Sequence, residues 1–359
     1  MIKLLSMKIA IVAGGTGGHV YPALTLAEAL EKRGDEILFI GSSTRMEKDV
    51  IPQHCFKFIG LDVEIFSGNI FKKIYSLLTI GKAEKECMKL LQGYDIAIGF
   101  GNYISVPVIL AAKKLGMKTA IHEQNSFAGK ANKLLDKKVD LIIGSYPANA
   151  KTFKNKNTLI LGNPQSSKAL LVKEDKQVIQ DLGLDPDKKT VVIFMGSLGS
   201  QTVNKVILDY FKLTDGSYQI VYATGKQNYE YAMNNFEEKD YIKVFERIDG
   251  ASVMKNSALL VCRAGATTLA EITALGTPAI LIPSPYVPNN HQYFNAKALV
   301  DKDAALMIEE KDLTADALNK KINDIINNEP KLKKIKENAL ALGNPKVLED
   351  MIEAIDRIW

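Results

Sequence analysis

The chain has few of the residues that build disulfide frameworks or zinc sites. Its three cysteines, Cys55, Cys87 and Cys262, are odd in number and widely separated, and no CxxC spacing occurs in 359 residues. This pattern argues against a disulfide scaffold and against a structural zinc site. We therefore expect reduced thiols.

Long apolar runs are also missing. No stretch reaches the 18 apolar residues that a membrane-spanning helix needs, and no signal peptide precedes the first apolar run. We expect a cytoplasmic protein. A content of 47% hydrophobic and 24% charged residues is ordinary for a soluble globular protein. The formal net charge of +5 fits an anionic ligand or lipid headgroup, and equally a solvated surface with no partner preference.

The length predicts two domains, because 359 residues exceed what one hydrophobic core usually organises. Short β-branched runs alternate with helical patterns, which predicts an α/β fold of two doubly wound parallel sheets whose ligands bind at an interdomain cleft. We place the first domain at residues 7–163 and the second at 164–344, with a C-terminal helix at 345–359 packing back on the first. Strands are predicted at 8–12, 37–40, 96–99, 119–122 and 141–144, and then near 193 and at 220–222, 242–244, 259–262 and 279–282.

Two apolar runs break into glycine loops that precede helical patterns, at residues 8–19 and 190–200. Backbone N–H groups and a helix N-terminus favour anions, so a phosphorylated ligand is expected, although the glycines could serve only tight turns. Neither loop fits a dinucleotide fingerprint or a P-loop: Val20 stands where the third glycine belongs, and the G-K-[ST] ending is missing. An NAD-dependent dehydrogenase is therefore disfavoured.

Seven motifs, taken in order, carry a specific resemblance. They are GGTGGHVYPAL at 14–24, GFGNYISVP at 99–107, HEQNSFAGKAN at 122–132, GNP at 162–164, GSLGS at 196–200, RAGATTLAE at 263–271 and HQYFNA at 291–296. Together they resemble the MurG family of glycosyltransferases. The resemblance implies the GT-B architecture of two Rossmann-like domains, with no cofactor and no catalytic metal. It also implies inverting transfer of GlcNAc from UDP-GlcNAc to the MurNAc 4-hydroxyl of lipid I, which forms lipid II in peptidoglycan biosynthesis.

The same resemblance implies a UDP-GlcNAc site. Without a metal, loop N–H groups and helix dipoles would stabilise the leaving diphosphate. Glu271 would accept hydrogen bonds from the ribose hydroxyls, the Ile248 backbone would read uracil, and Gln292 would contact the sugar. Glu271 could instead be a solvent-facing helix charge. The expected donor-site residues are Thr16, Gly17, Gly18, Asn125, Ser197, Ile248, Ala266, Thr267, Thr268, Leu269, Ala270, Glu271 and Gln292.

The acceptor side falls to the first domain, where His19 is the candidate general base. It stands at a helix start, where the dipole favours the neutral imidazole that a proton acceptor requires. Alternatively, His19 only hydrogen-bonds a backbone carbonyl or the acceptor phosphate, and His122 with Glu123 only orients a loop. The acceptor-side residues expected are Gly14, Gly15, Asn102, Tyr103, His122 and Glu123.

A polyprenyl-linked acceptor implies contact with a membrane. Residues 66–85, from Phe66 to Lys85, combine an apolar stripe with lysines, and such a segment can lie on an anionic bilayer. An amphipathic helix buried against its own sheet explains the stripe equally well. The expected location is peripheral, on the cytoplasmic face of the cell membrane. No nucleic-acid partner is expected.

The chain departs from the family pattern at two informative positions. Ser166 stands where members usually carry an arginine that contacts the donor, and Lys168 is a possible substitute. Asn102 replaces a glycine, which asparagine can do because it tolerates positive φ. Two alternatives stay open: another GT-B enzyme with a different lipid or small-molecule acceptor, and a non-catalytic nucleotide-sugar-binding protein. The presence of both His19 and Glu271 argues against the second.

Overall fold

The computed structural model describes residues 6–63, 70–196 and 199–359. The chain divides into two compact units, Met1–Gln165 with Lys346–Trp359, and Ser166–Pro345. Each unit contains one parallel sheet flanked by helices, so the predicted α/β class is confirmed. Among the residues whose placement is described, no helix is both long and apolar enough to cross a bilayer.

The sheet of the first unit has seven strands in the order β3-β2-β1-β4-β5-β6-β7. The order reverses between β1 and β4, and ligands of open α/β sheets bind beyond the carboxyl ends of strands at such a point. The strands are β1 Lys8–Val12, β2 Glu36–Ser42, β3 Lys57–Leu61, β4 Ile96–Gly99, β5 Lys118–Glu123, β6 Leu141–Gly144 and β7 Thr158–Ile160. The helices between them are α1 Gly17–Arg33, α2 Glu47–Gln53, α3 Ile70–Leu90, α4 Ser105–Lys114, α5 Lys130–Leu135 and α6 Pro147–Thr152.

Strand β1 shows why these segments form a buried sheet. Ile9 and Ile11 lie in the core on one face, whereas Ala10 and Val12 lie in the core on the other. Successive side chains of a strand point to opposite faces, so a run that is apolar at every position can be covered by helices on both sides. This explains the absence of polar alternation in the run.

The sheet of the second unit has six strands in the order β10-β9-β8-β11-β12-β13. Its strands are β8 Thr190–Phe194, β9 Gln219–Ala223, β10 Ile242–Phe245, β11 Leu259–Cys262, β12 Ala279–Leu281 and β13 Leu306–Met307. Its helices are α7 Gln165–Ala169, α8 Gln177–Asp181, α9 Gln201–Lys212, α10 Tyr229–Asn235, α11 Gly250–Lys255, α12 Ala266–Leu275, α13 His291–Val300, α14 Ala315–Ile326 and α15 Glu329–Leu342. The order again reverses beside its first strand, between β8 and β11.

The last helix, α16 Val347–Asp356, belongs to the first unit. Met351 and Ile355 are fully buried in the core that also contains β1. Asp356 Oδ1 accepts a hydrogen bond of 2.7 Å from Arg33 Nη1 at the end of α1. The amphipathic C-terminal sequence therefore completes the core of a sheet whose last strand, β7, ends 187 residues before α16 begins.

Every predicted strand is present, and three further strands were not predicted. The three are β3, β7 and β13, each of which lies at an edge of its sheet. Their side chains are mostly only partly buried, so they lack the continuous apolar run that marks the central strands.

Candidate active site

The first glycine loop joins β1 to α1 above a buried carboxylate. Glu47 is fully buried at the start of α2, and its Oε2 accepts a 3.0 Å hydrogen bond from the Gly15 N–H. Its Oε1 accepts a second bond, of 2.9 Å, from the Ser42 N–H. A Cβ on Gly14 would overlap this carboxylate. The Gly15 N–H is thus bound inside the protein and is not available to a ligand.

Gly17 and Gly18 occupy the first turn of α1, where the backbone N–H groups have no intrahelical acceptor. These two N–H groups, together with the positive end of the helix dipole, are therefore the part of the loop that suits an anion. Thr16, the residue before the helix, has extended backbone.

Asn102 ties a second loop to the first. Its backbone φ is 65°, so the expectation that asparagine tolerates positive φ here is confirmed. Its Nδ2 donates a 2.7 Å hydrogen bond to the Gly14 carbonyl, and its Oδ1 accepts one from the Tyr103 N–H. A glycine at this position would lack both bonds. Asn102 is predicted as an acceptor-side residue that tolerates the turn, and nothing in the sequence indicates its bond to Gly14.

His19 is the third residue of α1 and lies between two backbone loops. Its Nδ1 is 3.2 Å from Thr16 Oγ1, on the exposed side of the ring. Its Nε2 lies 3.2 Å from the position that a Cβ on Gly101 would occupy. The imidazole is thus placed at the carboxyl ends of β1 and β4, the two strands between which the sheet order reverses.

His122 and Glu123 end β5, and both are buried. His122 Nε2 lies 2.9 Å from the Gly162 carbonyl oxygen. Burial lowers the pKa of His122 to about 4; the bond to Gly162 opposes this shift and the charge of His19 adds to it. His122 is therefore a neutral side chain near physiological pH.

The carboxylate of Glu123 holds the loop that follows β5. Its Oε1 accepts from the Asn125 N–H at 3.0 Å, and its Oε2 accepts from the Gly129 N–H and Asn132 Nδ2, each at 2.9 Å. Burial raises the pKa of Glu123, and these hydrogen bonds oppose the shift. The structure thus places Glu123 beneath Asn125, with both of its oxygens occupied by the loop.

The second glycine loop borders a cavity of about 490 Å³ within the second unit. Gly199, with φ of 71°, leads into Ser200 at the N-terminus of α9. Ser197 lies outside the described residues. The cavity combines this helix start with a cationic and several polar side chains, as an anionic ligand with hydroxyl groups requires. It is lined by Met195, Gly196, Gly199, Ser200, Gln201, Thr202, Arg263, Ser284, Tyr286, Val287 and Gln292.

Arg263 connects several segments of the chain at this cavity. Its Nη2 donates to Ser200 Oγ at 2.9 Å, and its Nη1 donates to the Ile282 carbonyl at 3.1 Å. It also forms a buried ion pair with Glu310, with 2.7 Å between Nη2 and Oε2. The role of Arg263 was not predicted, since its partners lie 19 to 63 residues away in the sequence.

Helix α12 begins at Ala266, directly after the loop that carries Arg263. Thr267, Thr268, Ala270 and Glu271 are partly exposed, whereas the side chains of Ala266 and Leu269 are buried. A ligand at this helix start would therefore meet the two threonines, Glu271 and the first N–H groups.

Two donor-site candidates remain, Gln292 in the first turn of α13 and Ile248 on a loop. Gln292 Oε1 accepts a 2.8 Å bond from the Ser284 N–H, which fixes the rim of the cavity. Ile248 is partly buried between β10 and α11. Ser166, at the position where an arginine was expected, is buried on α7, and Lys168 is exposed.

The predicted membrane segment is only partly covered by the structure. Residues 66–69 and the side chains of residues 70–78 lie outside the described part. In the described remainder of α3, Ala83 and Cys87 are buried, Cys87 within the core of the first unit, and Lys82 and Lys85 are exposed. This half of the helix packs its apolar face against its own sheet.

Within the described residues, no three His, Cys, Asp or Glu side chains lie together in an arrangement that could hold a metal ion.

Comparison with solved structures places the fold. The crystal structure of MurG from Acinetobacter baumannii matches with a TM-score of 0.79 and 26% identity, over 98% of this chain and 99% of that one. A calicheamicin glycosyltransferase matches with a TM-score of 0.71 and 14% identity, which shows a shared fold alone. Two parallel α/β units, each with a glycine loop at a helix N-terminus, thus define a glycosyltransferase of the GT-B class.

Sequence comparison narrows the class. The models of the glycosyltransferase family 28 N-terminal and C-terminal domains match residues 9–143 and 190–351. The chain belongs to glycosyltransferase family 28 and, within it, to the MurG family. A relative from Halothermothrix orenii, 37% identical over 98% of both chains, is named UDP-N-acetylglucosamine–N-acetylmuramyl-(pentapeptide) pyrophosphoryl-undecaprenol N-acetylglucosamine transferase. A relative of the same name from Bacillus subtilis is 35% identical over 98% of this chain and 99% of its own.

Proposed function

We propose that the protein transfers GlcNAc from UDP-GlcNAc to the MurNAc 4-hydroxyl of lipid I, with inversion, and so forms lipid II. The observation that carries the proposal is the match of relatives with this activity in their names over 98% of the chain. The alternative of another GT-B enzyme with a different acceptor rests on structural likeness at 14% identity, which concerns the fold alone.

His19 is the general base in this proposal. The acceptor hydroxyl oxygen attacks C1 of GlcNAc, the bond from C1 to the UDP oxygen breaks, and the hydroxyl proton passes to His19. Support comes from the position of the imidazole at the sheet reversal, with Nδ1 on the exposed side beside Thr16. Gly14, Asn102 and Tyr103 shape the acceptor loops around it, while His122 and Glu123 position the loop of Asn125 from below.

The leaving diphosphate is stabilised by Ser197, the Gly199 loop and the starts of α9 and α12. Helix N-termini and preorganised N–H groups oppose the charge that develops on the departing UDP. Glu271 accepts from the ribose hydroxyls, since one carboxylate suits a vicinal diol. Gln292 and Asn125 contact the sugar, and the Ile248 backbone reads uracil. These roles are supported by the cavity beside α9, which Gln292 borders.

The reaction is tested with radiolabelled UDP-GlcNAc and a lipid I analogue in EDTA. We expect labelled lipid II at an undiminished rate, because the protein's own N–H groups and helix dipoles balance the diphosphate. UDP-glucose serves as the control donor. Turnover only with UDP-glucose, or only with an acceptor that lacks MurNAc, would assign another GT-B reaction. Nucleotide binding without turnover would assign a binding protein.

The enzyme associates peripherally with the cytoplasmic face of the membrane in this proposal, through residues 66–85. The support is the row of exposed lysines along the described part of α3, at Lys82, Lys85 and Lys89. Lysines near an anionic surface each contribute about 1 kcal/mol of binding free energy.

Co-sedimentation with phosphatidylglycerol vesicles checks this association. Lys82→Glu/Lys85→Glu is expected to weaken vesicle binding by about tenfold or more, since two attractive charges become repulsive. The matched control Lys331→Glu/Lys336→Glu, on exposed positions of α15, should bind as the unmodified protein does. Equal binding of both variants, or binding to neutral phosphatidylcholine vesicles alone, would contradict the proposed surface.

A further inference from the structure

Gln124 is a buried amide whose polar atoms are unpaired. Its side chain is 1% exposed, and neither Oε1 nor Nε2 has a hydrogen-bond partner among the described residues. An amide side chain offers two donors and two acceptor sites, and buried groups of this kind are nearly always paired. The exceptions call for an explanation, and function is one of them.

The position of Gln124 brings this amide next to His19. Gln124 directly follows β5, and its Oε1 lies 3.4 Å from the point that a Cβ on Gly101 would occupy. His19 Nε2 lies 3.2 Å from the same point. Gly101 has φ of 70° and no side chain, so the amide and the imidazole both border the space over its Cα, and no hydrogen bond joins them in the structure.

Only one kind of hydrogen bond is possible between Gln124 Oε1 and His19 Nε2, with the imidazole nitrogen as the donor. An amide oxygen only accepts hydrogen bonds, so a hydrogen bond between Gln124 Oε1 and His19 Nε2 requires the imidazole tautomer with its proton on Nε2. That tautomer leaves Nδ1 of His19 without a proton. Nδ1 is the nitrogen on the exposed side of the ring, 3.2 Å from Thr16 Oγ1.

His122 carries a second unpaired buried nitrogen, two residues from Gln124 in the sequence. Its Nδ1 is buried without a hydrogen-bond partner in the described part of the chain. Its Nε2 lies at hydrogen-bond distance from the Gly162 carbonyl, which accepts only, so the neutral ring carries its proton there and Nδ1 is an acceptor. The Gln124 amide N–H is the donor suited to it.

We propose that Gln124 is a positioning residue that fixes the tautomer of His19, with the proton on Nε2 and Nδ1 facing the acceptor hydroxyl. A base oriented by a third group is a recurring arrangement in catalysis. The inference rests on the proposed function insofar as His19 is the base; the tautomer itself is measurable without turnover.

Nitrogen NMR of the histidine rings tests the tautomer, and the chain has only four histidines to assign. In the unmodified protein, His19 should show the pattern of the Nε2–H tautomer. Gln124→Met, of similar length but without hydrogen-bonding groups, should give a mixture of tautomers. Gln124→Glu keeps an acceptor oxygen and should retain the Nε2–H form. His54 and His291 are internal controls whose signals should not change.

The kinetic readout separates positioning from binding. Gln124→Met is expected to lower kcat by up to about 100-fold, the range for a misplaced reactive group, with KM for UDP-GlcNAc within threefold. If Gln124→Met does not fold, Gln124→Asn, which withdraws the amide by one methylene, is expected to show the same tautomer change.

An unchanged His19 tautomer in the folded variant overturns the proposal, whether or not activity falls. A changed tautomer in an enzyme whose His19→Ala variant stays active supports the positioning role and removes His19 as the base, so the two failures are distinguishable.

Discussion

Replacing His19 by alanine is expected to lower kcat by about 10²–10⁴-fold, the range for loss of a general base. The variant should bind UDP-GlcNAc with an affinity within threefold of the unmodified protein, because the donor diphosphate is assigned to helix starts in the second unit. Steady-state kinetics with a lipid I analogue and calorimetry with UDP-GlcNAc in the absence of acceptor measure the two quantities separately.

His54→Ala is the matched control for this prediction. His54 lies at the end of α2 in the same unit, and its Nδ1 contacts Glu28 on the surface. The substitution removes an imidazole of the same size away from the glycine loops, so kcat should stay within twofold. A His19→Ala rate within threefold of the unmodified enzyme would remove His19 from the base role and favour its reading as a hydrogen-bonding residue.

The sequence predicted the sheets well because their signal is local. Runs such as 9–12 and 191–194 are apolar at every position, and burial on both faces of a parallel sheet requires this. The edge strands β3, β7 and β13 were not predicted, because a strand at the edge of a sheet does not require a continuous apolar run. The glycine loops were also visible, since their residues are adjacent in the chain.

The side-chain hydrogen bonds that hold the glycine loop could not be predicted, because each joins residues that are distant in the sequence. Glu47 reaches Gly15 across 32 positions, and Asn102 reaches Gly14 across 88. A carboxylate beneath a loop that was expected to bind an anion also runs against the electrostatic argument from sequence. The hydrogen bonds of Glu47 account for its position, because the carboxylate accepts from two backbone N–H groups and so fixes the loop. The helix start at Gly17 stays available for the proposed anionic ligand.

Gly199 shows a different limit of prediction from sequence. The motif marks this glycine as part of a turn but does not show which contacts exclude a side chain there. A Cβ at this position would overlap the Thr224 carbonyl oxygen and the Asn228 side-chain amide. Its φ of 71° is in addition unfavourable for any residue with a side chain. Both effects act on the turn that places Ser200 at the start of α9, so the geometry of the proposed diphosphate site depends on them.

Gly199→Ala is therefore expected to lower the free energy of unfolding by roughly 2–5 kcal/mol, as the sum of left-handed strain and overpacking. Gly196→Ala is the matched control: φ is 81°, yet no heavy atom of the described residues lies within 4 Å of the added Cβ. It should cost only about 1–2 kcal/mol, the strain alone. Urea denaturation followed by circular dichroism measures both, and calorimetry should show weaker UDP binding for Gly199→Ala than for the control. If both variants lose the same free energy of unfolding, contact with Thr224 and Asn228 does not constrain the loop. The shape of the proposed diphosphate site would then depend on the positive φ of its glycines and not on the packing against them.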